Sequence, residues 1–321
     1  MSLPDENKLL LIDRVPEGIH RPHWSVMIPT YNPRADYLEQ ALQSVLVQYP
    51  GPEKMQVEVV DDSSPEVDVP ALVRQIAGNR VSVHRSPSNK GLSGNFNLCI
   101  ERSRGQWVHI LHQDDSVLPG FYQKLADLSN RHPEISLLAS RSFFIDREDI
   151  IFAVSVRVHA LEKGGRAADD FFYSTPVQCS SVVVRRSFYE AHGGFRSDLS
   201  FTLDCEMWAR VVGISGGLVT PEVLAYYRGS DGSETSRLAR TAEELRDLER
   251  LNQLFARTYP EFNTKKALER VCNTALVRAD QFLASGDFQA AKANLDYWSA
   301  IVPAKLRFRR LVGKIVRSLL K

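Results

Sequence analysis

Four short polar clusters before residue 116 carry side chains that do chemistry. They are Thr30-Tyr31-Asn32 directly after Pro29, Asp61-Asp62, Asn89-Lys90-Gly91, and His112-Gln113-Asp114-Asp115. Two of them are acid pairs. Neighbouring carboxylates repel unless something cationic lies between them, and hard, oxygen-seeking Mg²⁺ or Mn²⁺ bridges carboxylates to phosphate oxygens. A turn also favours Asp, Asn, Ser and Gly for conformational reasons alone, so one such cluster has a bland explanation. Four together, two of them acid pairs, point to a divalent ion shared with a phosphate-bearing ligand.

The elements that must hold these clusters are legible from hydrophobic spacing. Trp24 to Ile28 reads as a buried strand ended by Pro29, and Leu38, Leu42, Val45 and Leu46 then recur at helical spacing. Val57 to Val60 is a second strand, stopped by the turn cluster Asp61 to Pro65. A helix over 69–76, a strand over 81–84, a helix from about residue 94 and the strand Trp107 to Leu111 follow. This alternation predicts an α/β fold, a mostly parallel sheet with helices on both faces. Ligands of such sheets bind at the carboxyl ends of the strands, and every cluster falls at a strand end. Further strands are expected at 135–139, 143–154, 181–184 and 223–228, with helices near 119–131, 187–191 and 203–213. Residues 231–237 read as a polar linker, and 241–257, 264–284 and 288–300 as helices. The chain thus divides into an extension (1–22), an α/β domain (23–230) and a C-terminal helical appendix (231–321).

Composition narrows the function further. The 321 residues are 43% hydrophobic and 25% charged, with a formal net charge of +1. That is enough apolar material for a sizeable core, and no basic surplus of the kind nucleic acid demands. Cys99, Cys179, Cys205 and Cys272 form no CxxC pair and read as reduced thiols of a cytosolic protein. The N-terminal stretch does not read as a signal peptide, and no uncharged apolar run approaches the roughly 18 residues of a spanning helix. A cytoplasmic setting is therefore expected. The first strand is not followed by GxGxxG, and GxxxxGK[ST] and GxSxG are absent. Dinucleotide dehydrogenases, P-loop NTPases and α/β-hydrolases are poorly supported. A nucleotidyltransferase would want a basic glycine-rich loop where IPTYNP (Ile28 to Pro33) stands.

Residues 24 to 228 resemble the family 2 glycosyltransferases, whose fold is GT-A. VMIPTYN (Val26 to Asn32) resembles the opening strand and loop, and EVVDDSSPEVD (Glu58 to Asp68) the VVDDGSxD segment. NKGLSGNFN (Asn89 to Asn97) resembles NxGxxxxxN, and GQWVHILHQDD (Gly105 to Asp115) the strand carrying the DxD element. GGFRSDLSFTLDCEMWAR (Gly193 to Arg210) resembles GGFDE followed by EDxxLWxR. The match covers about two-thirds of the chain.

That resemblance implies roles. Pro29, Thr30, Tyr31, Asn32 and the Asp61-Asp62 pair would hold the nucleobase and ribose of a nucleotide-sugar donor. Lys90, Asn97 and Gln113 would lie near the donor, although a lysine beside a glycine also reads as a solvated loop residue. Asp114, with Asp115 and His112, would bind Mn²⁺ or Mg²⁺ bridging the diphosphate, or the acid pair simply caps the following helix. Asp204 falls where the family has the base that deprotonates the acceptor hydroxyl in an inverting displacement; the bland reading is a helix cap. Trp208 and Arg210 would lie on the acceptor side, with Trp208 read as core or as a flat surface under the acceptor sugar. The donor would be a UDP, dTDP or GDP sugar and the acceptor a glycan or lipid-linked glycan, in polysaccharide or glycolipid synthesis. The alternative is a catalytically weak relative that binds nucleotide sugars.

Three departures stand out. His112 replaces the first acid of DxDD, Leu203 replaces the first acid of the ED pair, and Ser230 followed by Asp231 stands where a metal-reaching His is usual. In the tail, 303–321, apolar residues such as Phe308, Leu311, Val312 and Ile315 share one helical face. Arg307, Arg310, Lys314, Arg317 and Lys321 share the other. This is the pattern of a helix on an anionic membrane surface, or of one packed on its own domain.

Overall fold

A computed structural model describes residues 9–302, apart from 159, 162, 165, 174 and 230–233. The expected alternation runs β1 (Trp24–Thr30), α1 (Ala35–Leu46), β2 (Met55–Asp61), α2 (Val69–Ala77), β3 (Ser82–Arg85), α3 (Gly91–Arg102) and β4 (Trp107–Ile110). β1 and β2 are buried at every residue, as central parallel strands covered on both faces must be. β1 pairs in parallel with β2 and with β4, and β2 with β3. Leu38, Ala41, Leu42 and Val45 give α1 its buried stripe. The Asp68 carboxylate starts α2 by accepting the Ala71 N–H at 3.0 Å. Pro29 does not end β1. It lacks a donor, but the next carbonyl, Thr30, still accepts the Asp62 N–H at 2.8 Å.

Beyond β4 come β5 (Ser116–Val117), α4 (Phe121–Arg131), β6 (Leu137–Ile145), β7 (Ile151–Val154), β8 (Ala160–Leu161) and α5 (Arg166–Tyr173). They are followed by β9 (Val182–Arg185), α6 (Arg186–His192), α7 (Leu203–Ser215) and β10 (Gly217–Arg228). The sheet order is β3-β2-β1-β4-β9-β6-β10-β5, with β7 on β6 and β8 on β10. β9 runs antiparallel to both β4 and β6, whereas β10 is parallel to β6 and antiparallel to β5. The mixed half brings Arg228, the last residue of β10, beside the loop that leaves β4.

Some elements differ from expectation. The strands expected at 135–139 and 143–154 are instead β6, which runs through to Ile145, and β7, because Asp146 folds the chain back: its carboxylate accepts the N–H groups of Glu148 and Ile150, and Asp149 takes φ 65°. Nothing in the apolar spacing distinguishes this from one long strand. β10 starts at Gly217 and passes Pro221 through register shifts between Val219 and Ala225. α5 was not expected; Ala167, Ala168, Phe171 and Phe172 bury its inner face. Residues 234–237, read as linker, open α8 (Glu234–Arg240), and α9 (Glu243–Thr258) follows Ala242 in left-handed backbone, φ 58°. α10 (Thr264–Ala284) and α11 (Phe288–Ile301) complete the described chain. Among the described residues no helix is long and apolar enough to cross a membrane. The tail 303–321 lies outside the described residues.

Alternate residues of each strand feed two cores, one on each face of the sheet. Val26, Ile28 and Val59 join α1, α2 and α4 in one. Met27, Val60 and Val108 join α3, α5 and α7 in the other, and Leu245, Leu251, Phe255, Val271 and Ala275 of α9 and α10 belong to this second core. The C-terminal helices therefore share a hydrophobic interior with the sheet's second face.

His109 of β4 is fully buried and lies between Tyr122 Oη and the Ser180 carbonyl, each at 3.0 Å. A carbonyl only accepts, so Nε2 carries the proton, Nδ1 accepts from Tyr122, and the ring is neutral. Burial lowers its pKa from 6.5 to about 4. The unfolded chain takes up this proton below about pH 6.5, the folded one only near 4, so stability falls as pH drops through that window. Urea unfolding between pH 7 and 5 is expected to lose up to about 1.4 kcal/mol per pH unit from this ring, and His109→Gln to flatten the slope. Equal slopes for both proteins would refute the assignment.

Candidate active site

The carboxyl ends of β1, β2, β3 and β4 lie side by side, so all four clusters gather at one sheet edge. On its β1–β3 side the loops are tied to each other. Asn32, at φ 42°, donates its N–H to Ser64 Oγ at 2.8 Å and accepts the Glu66 N–H on Oδ1 at 3.1 Å. Asp61 is fully buried; it accepts from Ser64 N, from Ser64 Oγ and from Arg85 Nη1 at 2.8 Å. Asp62 accepts the N–H groups of Lys90 at 2.7 Å and Gly91 at 2.9 Å, and so caps α3 from outside that helix. Burial raises the Asp62 pKa, and these two amides pull it back. Asp61 and Asp62 thus organise the loops on which a donor would rest. Thr30 is buried as well, with Oγ1 toward the Val60 carbonyl. The exposed groups on this side include Tyr31, Asn89, Lys90 and Arg85, the last of which the sequence did not single out.

The β4 side holds the acid centre. Gln113 bonds the Tyr31 backbone in both directions, Oε1 accepting at 2.9 Å and Nε2 donating at 3.3 Å, which ties it to the β1 loop. One donor atom each from His112, Asp114 and Asp115 lie within 4.8 Å of one another. Asp115 is buried: Oδ1 accepts the Arg228 N–H at 2.8 Å, and Oδ2 lies 3.5 Å from His112 Nδ1. Burial first, then the neighbouring Asp114, raises its pKa well above the usual carboxylate range. Arg228 is itself tied to the Asp114 carbonyl, Gln40, Asp149 and the Tyr37 ring, so it is a fixed counter-charge.

These residues fit a divalent cation. His112 Nε2 is buried without a hydrogen-bond partner, although buried polar atoms are nearly always paired. Burial lowers the pKa of that imidazole, favouring the neutral form that ligates metals. Asp114 is partly exposed, and Asp115, His112 and Tyr227 are among its electrostatic neighbours.

Asp204 reaches the same centre from α7. It is half-buried, near enough to His112 for each charge to shift the other, and its Oδ1 accepts the Cys205 N–H at 2.7 Å. Burial raises its pKa, which makes it a stronger base than a free carboxylate. Tyr227 senses Asp115, Asp204 and Asp114 together and is raised by burial and by those charges. It completes the centre, and nothing in its sequence spacing announced it. Arg228 is likewise separated from Asp115 by 113 positions.

Three expected site residues sit elsewhere. Asn97 is buried and clips α3 to the loop after α6, accepting the Phe195 N–H at 2.7 Å and donating to its carbonyl at 2.9 Å. A Cβ on Gly194 would strike its Oδ1, so the glycine is required there. Trp208 is 2% exposed and packs edge-on against Phe195, a core residue with no face for an acceptor sugar. Arg210 is 1% exposed, forked onto Glu206 and bonded to the carbonyls of His192, Gly193 and Gly194.

Comparison with known proteins adds an independent finding. Residues 25–192 match the model of glycosyl transferase family 2. "Uncharacterized protein MT1568" of Mycobacterium tuberculosis is 30% identical over 248 residues, 72% of this chain and 75% of its own. Succinoglycan biosynthesis protein ExoO of Rhizobium meliloti is 34% identical over 118 residues, covering 36% of this chain and 30% of that one. The structure of mannosyltransferase PcManGT from Pyrobaculum calidifontis, in complex with GDP-Man and Mn²⁺, is similar with a TM-score of 0.52. At 17% identity, over 95% of this chain and 83% of that one, the likeness is one of fold.

The buried Arg210–Glu206 pair is open to direct test. Arg210→Met leaves the Glu206 carboxylate and three carbonyls without their partner, and is expected to cost about 3–5 kcal/mol in urea unfolding. A loss below about 1 kcal/mol, the range of surface pairs, would contradict its role.

Proposed function

The chain belongs to glycosyl transferase family 2 and has the GT-A fold, and on that footing we propose that it is an inverting, nucleotide-sugar-dependent hexosyl- or deoxyhexosyltransferase. The observation that carries this reading is the meeting of Asp204 with His112, Asp114 and Asp115 at the carboxyl edge of the sheet.

The donor lies over the loops after β1, β2 and β3, where Tyr31 and Lys90 are exposed, with Asn32 and Gln113 keeping those loops in place. A divalent ion held by Asp114, with His112 and Asp115 beside it, would supply Lewis-acid neutralisation of the diphosphate charge. Asp204 takes the acceptor hydroxyl proton as that oxygen attacks the anomeric carbon. One C–O bond forms, the bond to the diphosphate oxygen breaks, and the nucleoside diphosphate leaves with the bonding pair. Its raised pKa suits Asp204 to this general-base task. A single displacement needs no carboxylate nucleophile and inverts the anomeric centre. The GDP-Man and Mn²⁺ of PcManGT support a nucleotide-sugar donor and a metal. The name of ExoO supports a place in polysaccharide or glycolipid assembly, with a glycan or lipid-linked acceptor. The basic, apolar tail 303–321 supports a station at an anionic membrane surface on the cytoplasmic side.

Calorimetry with UDP, dTDP and GDP sugars, with Mn²⁺ and then with chelator, tests the reading. Asp114→Ala is expected to lose the metal-dependent part of donor binding. Asp204→Asn is expected to bind donor as the wild type does while turnover falls by about 10²–10⁴. Native turnover in Asp204→Asn sinks the base assignment. Donor binding without turnover in the wild type would favour a binding-only relative.

A further inference from the structure

α7 carries the proposed base but has no cap of its own. Its N-cap residue, Thr202, makes no side-chain cap bond, and Asp204 is the second residue of the helix. The chain leading into the helix is instead held from the C-terminal region. Asp247, on α9 and fully buried, accepts the N–H groups of Ser200 at 3.2 Å, Phe201 at 2.8 Å and Thr202 at 2.7 Å. The Thr202 hydroxyl adds a fourth bond at 2.8 Å. Three successive amides closing on one carboxylate form an anion nest, and bonds to an ionised acceptor are about twice as strong as neutral ones. Arg250 reaches the other oxygen at 3.2 Å.

The bond from Cys205 N–H to Asp204 lies within the first turn, so it fixes the side chain to the helix but not the helix to the rim. That second attachment is the Asp247 nest, which anchors the chain immediately before α7. The anchor is firm because α9 is packed through Leu245, Leu248, Leu251 and Phe255 into the core that also holds Leu203 and Met207 of α7. Hence we infer that Asp247 is a positioning residue for Asp204, and that the C-terminal helices form part of the catalytic apparatus. The inference rests on the reading of Asp204 as the base.

The test uses the full chain and four variants. Asp247→Asn keeps the shape of the side chain but puts an N–H₂ group among donors. It is expected to lower kcat on the order of 10-fold to 100-fold, the scale of a misplaced catalytic group, with donor affinity by calorimetry unchanged. Amide exchange over 200–204 should quicken. Val73→Ala, a cavity under α2 in the core on the opposite face of the sheet, is expected to lower Tm yet keep kcat at temperatures well below it. Asp204→Asn and the double variant are measured alongside, and groups acting as one unit give no further loss in the double variant. Wild-type kcat in Asp247→Asn, or a loss of donor affinity equal to the loss of turnover, overturns the inference. Native turnover in Asp204→Asn overturns the base assignment first, and the positioning role with it.

Discussion

Negative charge that must be withdrawn from water at one sheet edge is the constraint on which this molecule is organised. A carboxylate buried without compensation costs several kcal/mol, and Asp61, Asp62, Asp115 and Asp204 at this edge, with Asp247 against the chain before α7, are all withdrawn wholly or partly from water. Asp61 is met by Arg85 and Ser64, Asp62 by two amides of α3, Asp115 by the Arg228 backbone, and Asp247 by a nest of three amides. Asp204 is left with less, one amide of its own turn and the nearby His112. The acids are thereby sorted. Asp61, Asp62 and Asp247 hold loops, whereas Asp115 and Asp204 face the centre.

The arrangement of the sheet follows from the same need. Parallel strands β1 to β4 bring the loops together, but a purely parallel edge offers the acids mainly amides. Inserting β9 antiparallel and running β10 alongside β6 delivers Arg228 to the acid pair from the other end of the domain. The β6–β7 turn then locks that arginine through Asp149. The C-terminal helices play the corresponding part for α7, through Asp247 and a shared core.

Most of the framework was legible in the sequence. Val26, Ile28, Val57 and Val59 announce buried strands, Leu38, Leu42 and Val45 a one-sided helix, and the polar clusters mark the strand ends. What went unread was long-range or locally ambiguous. One strand over 143–154 and a hairpin share the same apolar pattern, and only the Asp146 turn separates them. The family resemblance offers Asn97, Trp208 and Arg210 as ligand contacts, yet a buried amide, indole or guanidinium serves equally well to satisfy backbone and fill a core.

Local spacing, then, determined the α/β alternation and the gathering of Asp61, Asp62, Asp114 and Asp115 at strand ends, because side-chain periodicity and turn chemistry act over a few residues. Tertiary structure alone decided which acids became struts and which remained available. That choice depends on desolvation and on partners such as Arg228 for Asp115 and Thr202 for Asp247, lying 113 and 45 positions away. Proximity of that kind exists only once the chain has folded.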